Sequence, residues 1–186
     1  MKNTLVVNLF GGAGIGKSVM RADLFSALKK KGVRAEESVE WIKNCVYEHR
    51  DVVLDVQSYI FSKQYMQQYK LVQSDQIDVV ITDSPVLLSA IYDPEQDENL
   101  KQYVIKKFNQ FNNLNVLLIR STQYQTEGRY QTEEESIEID KQIKRLLDDN
   151  FIPYIEVQIG DKAEEDIIEA IISRLIVNKI YEEQNN

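Results

Sequence analysis

The segment Gly11–Ser18 (GGAGIGKS) matches the phosphate-binding loop pattern G-x-x-x-x-G-K-[ST] without a mismatch. Its glycines let the backbone wrap round a phosphate chain with the N–H groups pointing inward, and a following helix adds the positive end of its dipole. Lys17 is expected to reach the β- and γ-phosphates, and the Ser18 hydroxyl to bind Mg²⁺. The predicted nucleotide contacts are Gly12, Ala13, Gly14, Ile15, Gly16, Lys17, Ser18 and Val19.

Acidic residues follow two further predicted strands. Glu40 comes after the short strand 33–37, at the end where open α/β sheets place their ligands. It could accept the proton of an attacking hydroxyl, or it could be a solvated charge that favours a helix dipole. Asp83 ends the apolar strand 78–83, where phosphate-loop proteins place the acid that holds Mg²⁺ or its water shell. The alternative is that Asp83 only caps the next helix. If it does not, Ser18 and Asp83 are the predicted metal ligands.

Three side chains share one face of the predicted helix 52–72, namely Gln57, Phe61 and Gln64 at i, i+4 and i+7. Two amides and an aromatic ring on one stripe could hydrogen-bond and stack on a nucleobase or a pyridine ring. A helix that merely packs through Phe61 would show the same pattern. The predicted substrate contacts are Glu40, Trp41, Gln57, Phe61, Gln64 and Asp83.

Two arginines lie where a transferring phosphoryl group could be neutralised. The predicted strand 115–120 ends in Arg120, and the polar segment 121–135 that follows has no apolar periodicity. Its length is typical of a mobile cover over a site. Arg129, near the middle of this segment, is the first candidate for stabilising the transition state, and Arg120 is the second.

The rest of the chain supplies the elements that must position these residues. Apolar strands alternate with helices, which predicts an α/β fold with a parallel sheet covered on both faces. A length of 186 residues suits one domain spanning residues 1–186. The predicted strands are 5–10, 33–37, 78–83, 115–120 and 154–158. The predicted helices are 17–31, 41–47, 52–72, 100–111, 136–147 with Ile137, Ile139 and Ile143 inward, and a final helix after Lys162 with a frayed tail from Glu182.

Composition limits the class of partner and the compartment. Asp and Glu number 30 against 22 Lys and Arg, a net charge of −8, whereas binders of long nucleic acid usually present a basic surface. This favours a small ligand but leaves room for a local basic groove. The single cysteine, Cys45, cannot form an internal disulfide, and His49 lies among charged neighbours as a solvated side chain would. With no signal peptide or membrane-spanning run, the protein is expected to be soluble and cytoplasmic.

The order of these features resembles the small-molecule P-loop kinases, and within them the nicotinamide riboside kinase type and related ATPase/kinase proteins of bacteriophages. The likeness covers nearly the whole chain and is carried by the phrases 39–43 (VEWIK), 57–64 (QSYIFSKQ), 81–85 (ITDSP) and 128–135 (GRYQTEEE). It implies a three-layer fold with sheet order 2-3-1-4-5 and a kinase lid at 121–135. It also implies that the loop Gly160-Asp161-Lys162 lies near the adenine and that Glu40 or Asp83 faces the acceptor hydroxyl.

The expected function is therefore ATP- and Mg²⁺-dependent transfer of the γ-phosphoryl group to a hydroxyl of a nucleoside-like molecule, such as nicotinamide riboside or a deoxynucleoside. Ser84-Pro85 lacks the arginine that follows the corresponding Asp in thymidylate kinases, which counts against a thymidylate acceptor. One alternative is a kinase of nucleotides or of hydroxymethylated bases in phage DNA. Another is a regulatory ATPase that phosphorylates nothing. A basic groove formed by Lys63, Lys70, Lys101, Lys106 and Lys107 would support the DNA substrate.

Overall fold

Five parallel strands form the centre of the part of the molecule that the structure describes. The computed structural model describes residues 3–42, 45, 51–53, 55–120 and 133–185, without the side chains of 51, 133 and 181–185. The sheet order β2-β3-β1-β4-β5 confirms the predicted order. The strands are β1 (Leu5–Phe10), β2 (Ala35–Ser38), β3 (Val79–Thr82), β4 (Asn112–Ile119) and β5 (Ile155–Gln158).

Helices cover both faces of this sheet, as expected for parallel strands joined by crossovers. Helices α1 and α5 pack on one face, and α2, α3, α4 and the 3-10 segment Val86–Ala90 pack on the other. The fold is thus a three-layer α/β fold. The helices are α1 (Lys17–Lys30), α2 (Gln57–Val72), α3 (Glu98–Phe108), α4 (Glu133–Asp149) and α5 (Ala163–Asn185), and a further 3-10 turn spans Asp51–Val53.

Strand β1 is apolar along nearly its whole length because both of its faces are covered. Leu5, Val7 and Leu9 contribute to the core under α1 and α5, and Val6 and Phe10 to the core on the opposite face. This alternation follows from the two-residue period of a strand. It places the last residue of β1, and the loop that follows it, at the carboxyl edge of the sheet between β3 and β4.

A buried polar network joins β1 to β4. The side-chain amide of Asn8 donates to Oδ1 of Asn113 (2.9 Å) and of Asn115 (3.0 Å), and Asn115 donates to the carbonyl of Pro153 (2.9 Å). These bonds satisfy the side-chain N–H groups of Asn8 and Asn115, which would otherwise be costly to bury. Oδ1 of Asn8 is buried and has no hydrogen-bond partner among the described residues. Asn113 also donates to the Phe108 carbonyl at the end of α3 (2.8 Å).

Several predicted boundaries shift in the structure. Helix α3 ends at Phe108 rather than at residue 111, because β4 begins at Asn112, three residues earlier than predicted. The predicted helix 52–72 begins only at Gln57. The second strand is Ala35–Ser38 rather than 33–37. Strand pairing decides these ends, and pairing is invisible in local periodicity.

Other expectations differ in burial or extent. Ile137, predicted to point inward, is 38% exposed because it lies in the first turns of α4, while Ile143 is fully buried further along. The polar C-terminal tail is helical to Asn185 rather than frayed from Glu182. Cys45 is helical and fully buried. Among the helices described, none has the length and apolar character needed to span a membrane.

Candidate functional site

The loop between β1 and α1 has the backbone geometry that its glycines allow. Gly11, Gly14 and Gly16 have φ angles of 146°, 76° and 94°, in the region that favours glycine. Gly16 caps the N-terminus of α1 in the left-handed conformation. At Gly12 a glycine is needed for a different reason: a Cβ there would lie 2.5 Å from the carbonyl oxygen of Ser136. The loop therefore turns tightly and passes directly beneath α4.

Lys17, the first residue of α1, lies at the centre of a cluster of charges. Its ammonium donates to the carbonyls of Gly11 (2.6 Å) and Gly12 (2.8 Å). Burial lowers the pKa of Lys17 to about 8, although the negative charges of Glu40, Asp83 and Asp140 act to raise it. The predicted carboxylates Glu40 and Asp83 thus converge on the loop lysine.

The residues after Lys17 in α1 divide between surface and core. Ser18 and Val19 are exposed in the first turn, Val19 by 67%, and Met20 instead packs in the core with Leu24. The predicted nucleotide contacts of Ser18 and Val19 are compatible with this exposure and stay predictions.

Asp83 directly follows β3 and is only 3% exposed. Its Oδ1 accepts a hydrogen bond from Nη1 of Arg21 at 3.1 Å. Its Oδ2 is buried and has no hydrogen-bond partner among the described residues. Such an oxygen is costly to bury unless it has a ligand.

Arg21 was not singled out from the sequence. It follows Lys17 by one helical turn and donates its Nε to Glu37 at the end of β2 (2.7 Å), while its Nη1 reaches Asp83. One guanidinium therefore ties α1 to the carboxyl ends of β2 and β3. The i, i+4 spacing from Lys17 was the only available signal, and by itself it does not identify the partners.

The residues predicted to hold Mg²⁺ fit that ion chemically. Mg²⁺ prefers hard oxygen ligands and usually retains several waters while binding one or two protein groups and substrate phosphates. The unpartnered Oδ2 of Asp83 and the hydroxyl of Ser18, in the first turn of α1, are oxygens of this kind. Bound there, the ion would neutralise charge on the phosphates.

Arg120 directly follows β4 and contacts the loop, together with two residues of α4 that sequence reasoning missed. The carboxylate of Asp140 accepts from the Gly12 amide and from Nε of Arg120 (2.6 Å). Nη2 of Arg120 donates to the Ala13 carbonyl (3.0 Å) and to the Ser136 hydroxyl, which itself donates to the Ala13 carbonyl (2.7 Å).

Glu40 lies just beyond β2 and is half-buried. Besides acting on Lys17, its charge acts on Tyr92: burial first, and then Glu40 and Asp140, raise the pKa of Tyr92 to about 12. Glu40 and Asp140 are therefore within electrostatic reach of Tyr92, which remains a neutral hydroxyl at physiological pH.

The face of α2 predicted to touch substrate is largely used by the protein itself. Gln64 accepts from the Trp41 amide (3.0 Å) and donates to the Val39 carbonyl (3.3 Å). Phe61 is 2% exposed and stacks on Tyr65, with ring centroids 5.7 Å apart. Gln57 is likewise buried. The structure thus agrees with the packing alternative for Phe61, whose ring has no accessible face for a base.

A cleft of about 530 Å³ lies beside this face of α2. Lys63 and Lys70 line it, but the other three lysines of the predicted basic groove do not; Lys107 instead lies over the rings of Tyr65 and Tyr103. This cleft therefore does not bring the five lysines together. The lining residues are Glu37, Val39, Trp41, Lys63, Met66, Gln67, Lys70 and Leu71.

The remaining predicted site residues lie on the far side of the loop or outside the described chain. Gly160, Asp161 and Lys162 form an exposed turn after β5, at the same carboxyl edge of the sheet. The Gly160 carbonyl accepts from the Ala163 amide (3.1 Å), which starts α5. Arg129, His49 and most of the predicted lid lie outside the described residues, and the lid's last three residues belong to α4.

The chain is similar in fold to a solved structure of another protein. A crystal structure of a NadR protein in complex with NR is similar to the chain with a TM-score of 0.73 at 18% identity, covering 93% of this chain and 52% of that one. The chain thus spans about half the length of that NadR chain. A crystal structure of APE1195 matches over 97% of both chains with 19% identity and a TM-score of 0.41. Among curated proteins there is no significant match.

The likeness to NadR at this identity concerns the fold alone, which is that of a P-loop protein with a five-stranded parallel sheet. The profile of an AAA domain family matches residues 6–165, from β1 into α5, and therefore includes the phosphate-binding loop, Glu40 and Asp83. The chain belongs to this AAA domain family.

Proposed function

We propose that this protein is an ATP-dependent phosphotransferase that moves the γ-phosphoryl group to an uncharged hydroxyl of a nucleoside-like molecule. The observation that carries this proposal is the convergence of two carboxylates, Glu40 and Asp83, on the lysine of a phosphate-binding loop. A protein that only binds a nucleotide needs the loop and one acid for the metal. A second carboxylate, placed beyond β2, is what activation of an acceptor hydroxyl requires.

The roles of the side chains follow from their positions. Lys17 and the loop amides hold the phosphates, and Ser18 and Asp83 hold the Mg²⁺ that neutralises them. Because Oδ1 of Asp83 is bound to Arg21 and Oδ2 is unpartnered, Asp83 suits the metal better, which leaves Glu40 as the group that orients the acceptor hydroxyl and takes its proton. Arg120, with Arg129 of the predicted lid, neutralises the transferring group.

The charge next to Asp83 supports an uncharged acceptor. A nucleotide acceptor brings its own phosphate and needs a cation to bind it. Arg21, the guanidinium beside Asp83, is paired with both Glu37 and Asp83. Pairing with two carboxylates leaves it poorly suited to an acceptor phosphate, which favours a nucleoside. The NR bound in the NadR structure is consistent with such an acceptor.

The test is ATP consumption by the purified full chain, with mass-spectrometric detection of product. The acceptors are nicotinamide riboside, the common ribo- and deoxynucleosides, their monophosphates and DNA containing hydroxymethyluracil. We expect one nucleoside to gain one phosphate, and Lys17→Ala to abolish the reaction while circular dichroism shows an intact fold. Glu40→Gln should lower kcat by about 100-fold or more, the usual contribution of a general base.

Glu36→Gln is the matched control for Glu40→Gln, since Glu36 lies on β2, just before Glu40 in the chain, and pairs with Lys29 at the surface. It should leave kcat unchanged. Full activity of Lys17→Ala, or ATP binding without phosphorylation of any acceptor, would overturn the kinase proposal. The second of these results would favour a regulatory ATPase.

A kinase of nucleotides is the second candidate, and the cleft beside α2 is the observation that favours it. Lys63 and Lys70 flank Trp41 and Met66 there, so a flat ring and a negative charge could bind together. If monophosphates are the acceptors, Lys63→Ala and Lys70→Ala should raise their KM. With nucleoside acceptors the same variants should have little effect on KM.

A further inference from the structure

One of the contacts between the phosphate-binding loop and α4 is made by an anion, the carboxylate of Asp140. The Gly12 amide, one of the donors of the loop, donates to the carboxylate of Asp140, and the same carboxylate accepts from Arg120. Asp140 also lies close enough to Lys17 for its charge to act on that ammonium. A carboxylate on a loop amide beside the loop lysine uses the hydrogen bonds and the charge that a phosphate oxygen would use.

The packing of α4 on the loop is close. A Cβ at Gly12 would lie 2.5 Å from the Ser136 carbonyl oxygen and 2.7 Å from the Ser136 hydroxyl. Ser136 is itself fully buried and bridges Arg120 to the Ala13 carbonyl. The position of Arg120 is therefore set by the loop and by α4 together.

The charges that face Asp140 determine what a nucleotide would do there. Arg120 and Lys17 are its cationic neighbours, while Glu40 is a further carboxylate within electrostatic reach of the same lysine and of Tyr92. A phosphate group entering the loop meets Asp140 as a like charge and as a competitor for the Gly12 amide. The other carboxylate oxygen of Asp140, bound to Arg120, is outside that competition.

We propose that Asp140 and Ser136 are positioning residues: they hold Arg120 against the phosphate-binding loop, and Asp140 yields the Gly12 amide to a phosphate of the nucleotide while keeping Arg120 oriented. This inference rests on the proposed function for the part that concerns Arg120. The competition for the loop amide concerns nucleotide binding alone.

The Asp140→Asn variant separates the two parts of the proposal, because the competition for the loop amide affects ATP binding and the positioning of Arg120 affects kcat. Loss of the competing charge should tighten ATP binding, measured by calorimetry without acceptor, by about tenfold. Loss of the charged partner of Arg120 should lower kcat by about tenfold. Ser136→Ala should lower kcat with little change in ATP affinity. A purely structural role would instead weaken ATP binding and lower kcat together with stability.

Glu138→Gln is the matched control, because Glu138 lies on the same helix but pairs with Lys141 and Arg145 at the surface. It should change neither quantity. Unchanged or weakened ATP binding by a folded Asp140→Asn variant would overturn the competition, and an unchanged kcat would overturn the positioning of Arg120. Tighter ATP binding in a protein that phosphorylates no acceptor would refute the proposed kinase and leave the competition standing.

A measurement on the parent protein covers the case in which Asp140→Asn does not fold. The Gly12 amide resonance in a ¹⁵N-resolved NMR titration should move with a non-hydrolysable ATP analogue, because its acceptor changes from carboxylate to phosphate. Adenosine, which has no phosphate, should leave it in place. A Gly12 resonance insensitive to a bound ATP analogue, or equally sensitive to adenosine, would overturn the proposal.

Discussion

Replacing Lys17 by Met should change the stability of the protein in a pH-dependent way. Burial lowers the pKa of Lys17 from 10.5 to about 8, so the folded protein holds this proton less tightly than the unfolded chain does. Below pH 8 both states carry the proton, and the folded state bears the full cost of the buried charge. As pH rises from 8 to 10.5 the folded state loses the proton first, and that cost is relieved.

The size of the effect follows from the same two pKa values. At 1.36 kcal/mol per pKa unit, the difference between 10.5 and about 8 corresponds to about 3 kcal/mol. Met has similar bulk and no charge, so Lys17→Met should be more stable than the parent at pH 7. The gain is smaller than the full value because the carbonyls of Gly11 and Gly12 each lose a donor. The loss of these hydrogen bonds does not affect how the difference in free energy of unfolding between the parent and Lys17→Met changes with pH.

Urea unfolding at several pH values between 7 and 10.5, followed by circular dichroism, measures this difference. Relative to that of Lys17→Met, the free energy of unfolding of the parent should rise by about 3 kcal/mol over this interval. Lys30→Met, which removes an exposed lysine from the last turn of the same helix, is the matched control. A difference between parent and Lys17→Met that does not change with pH would refute the reasoning.

Three further substitutions, with Gly160→Ala as a control, test the packing at the site and within the sheet. Gly12→Ala should lower the free energy of unfolding by about 1–3 kcal/mol because the added methyl overlaps α4. Gly160→Ala should change stability little, because the space around Gly160 is open. Urea unfolding measures both variants. Asn115→Ala leaves the amide of Asn8 short of an acceptor and should cost about 1–3 kcal/mol in the same assay. Arg21→Gln leaves the buried carboxylate at the end of β3 without its cation and should cost about 3 kcal/mol, seen as a lower urea midpoint.

Local patterns in the sequence predicted much of the fold. The apolar runs of β1 and β3 predicted buried strands, and their alternation with helices predicted a parallel sheet covered on both faces. The sheet order came from the resemblance to P-loop kinases, since periodicity does not specify which strands are neighbours. Boundaries failed where pairing decides them, as at Asn112, which begins β4 because it lies opposite Leu5.

The predicted acceptor face illustrates the limit of periodicity. Gln57, Phe61 and Gln64 do share one face of α2, as the spacing predicted, and all three are buried. The spacing shows which side chains lie together but does not show what covers them. Here the core covers Phe61, and the chain after β2 covers Gln64.

The sequence by itself determined the phosphate-binding loop, because its glycines, lysine and serine act through the local backbone. It also placed Glu40 and Asp83 at strand ends, where parallel strands bring side chains to one edge. Only the tertiary structure decided how the loop is enclosed: Gly12 and Asp140 are 128 residues apart, and Arg21 and Asp83 are 62 apart. Such contacts depend on the packing of α1 and α4 against the sheet, and a single sequence carries no local signal for them.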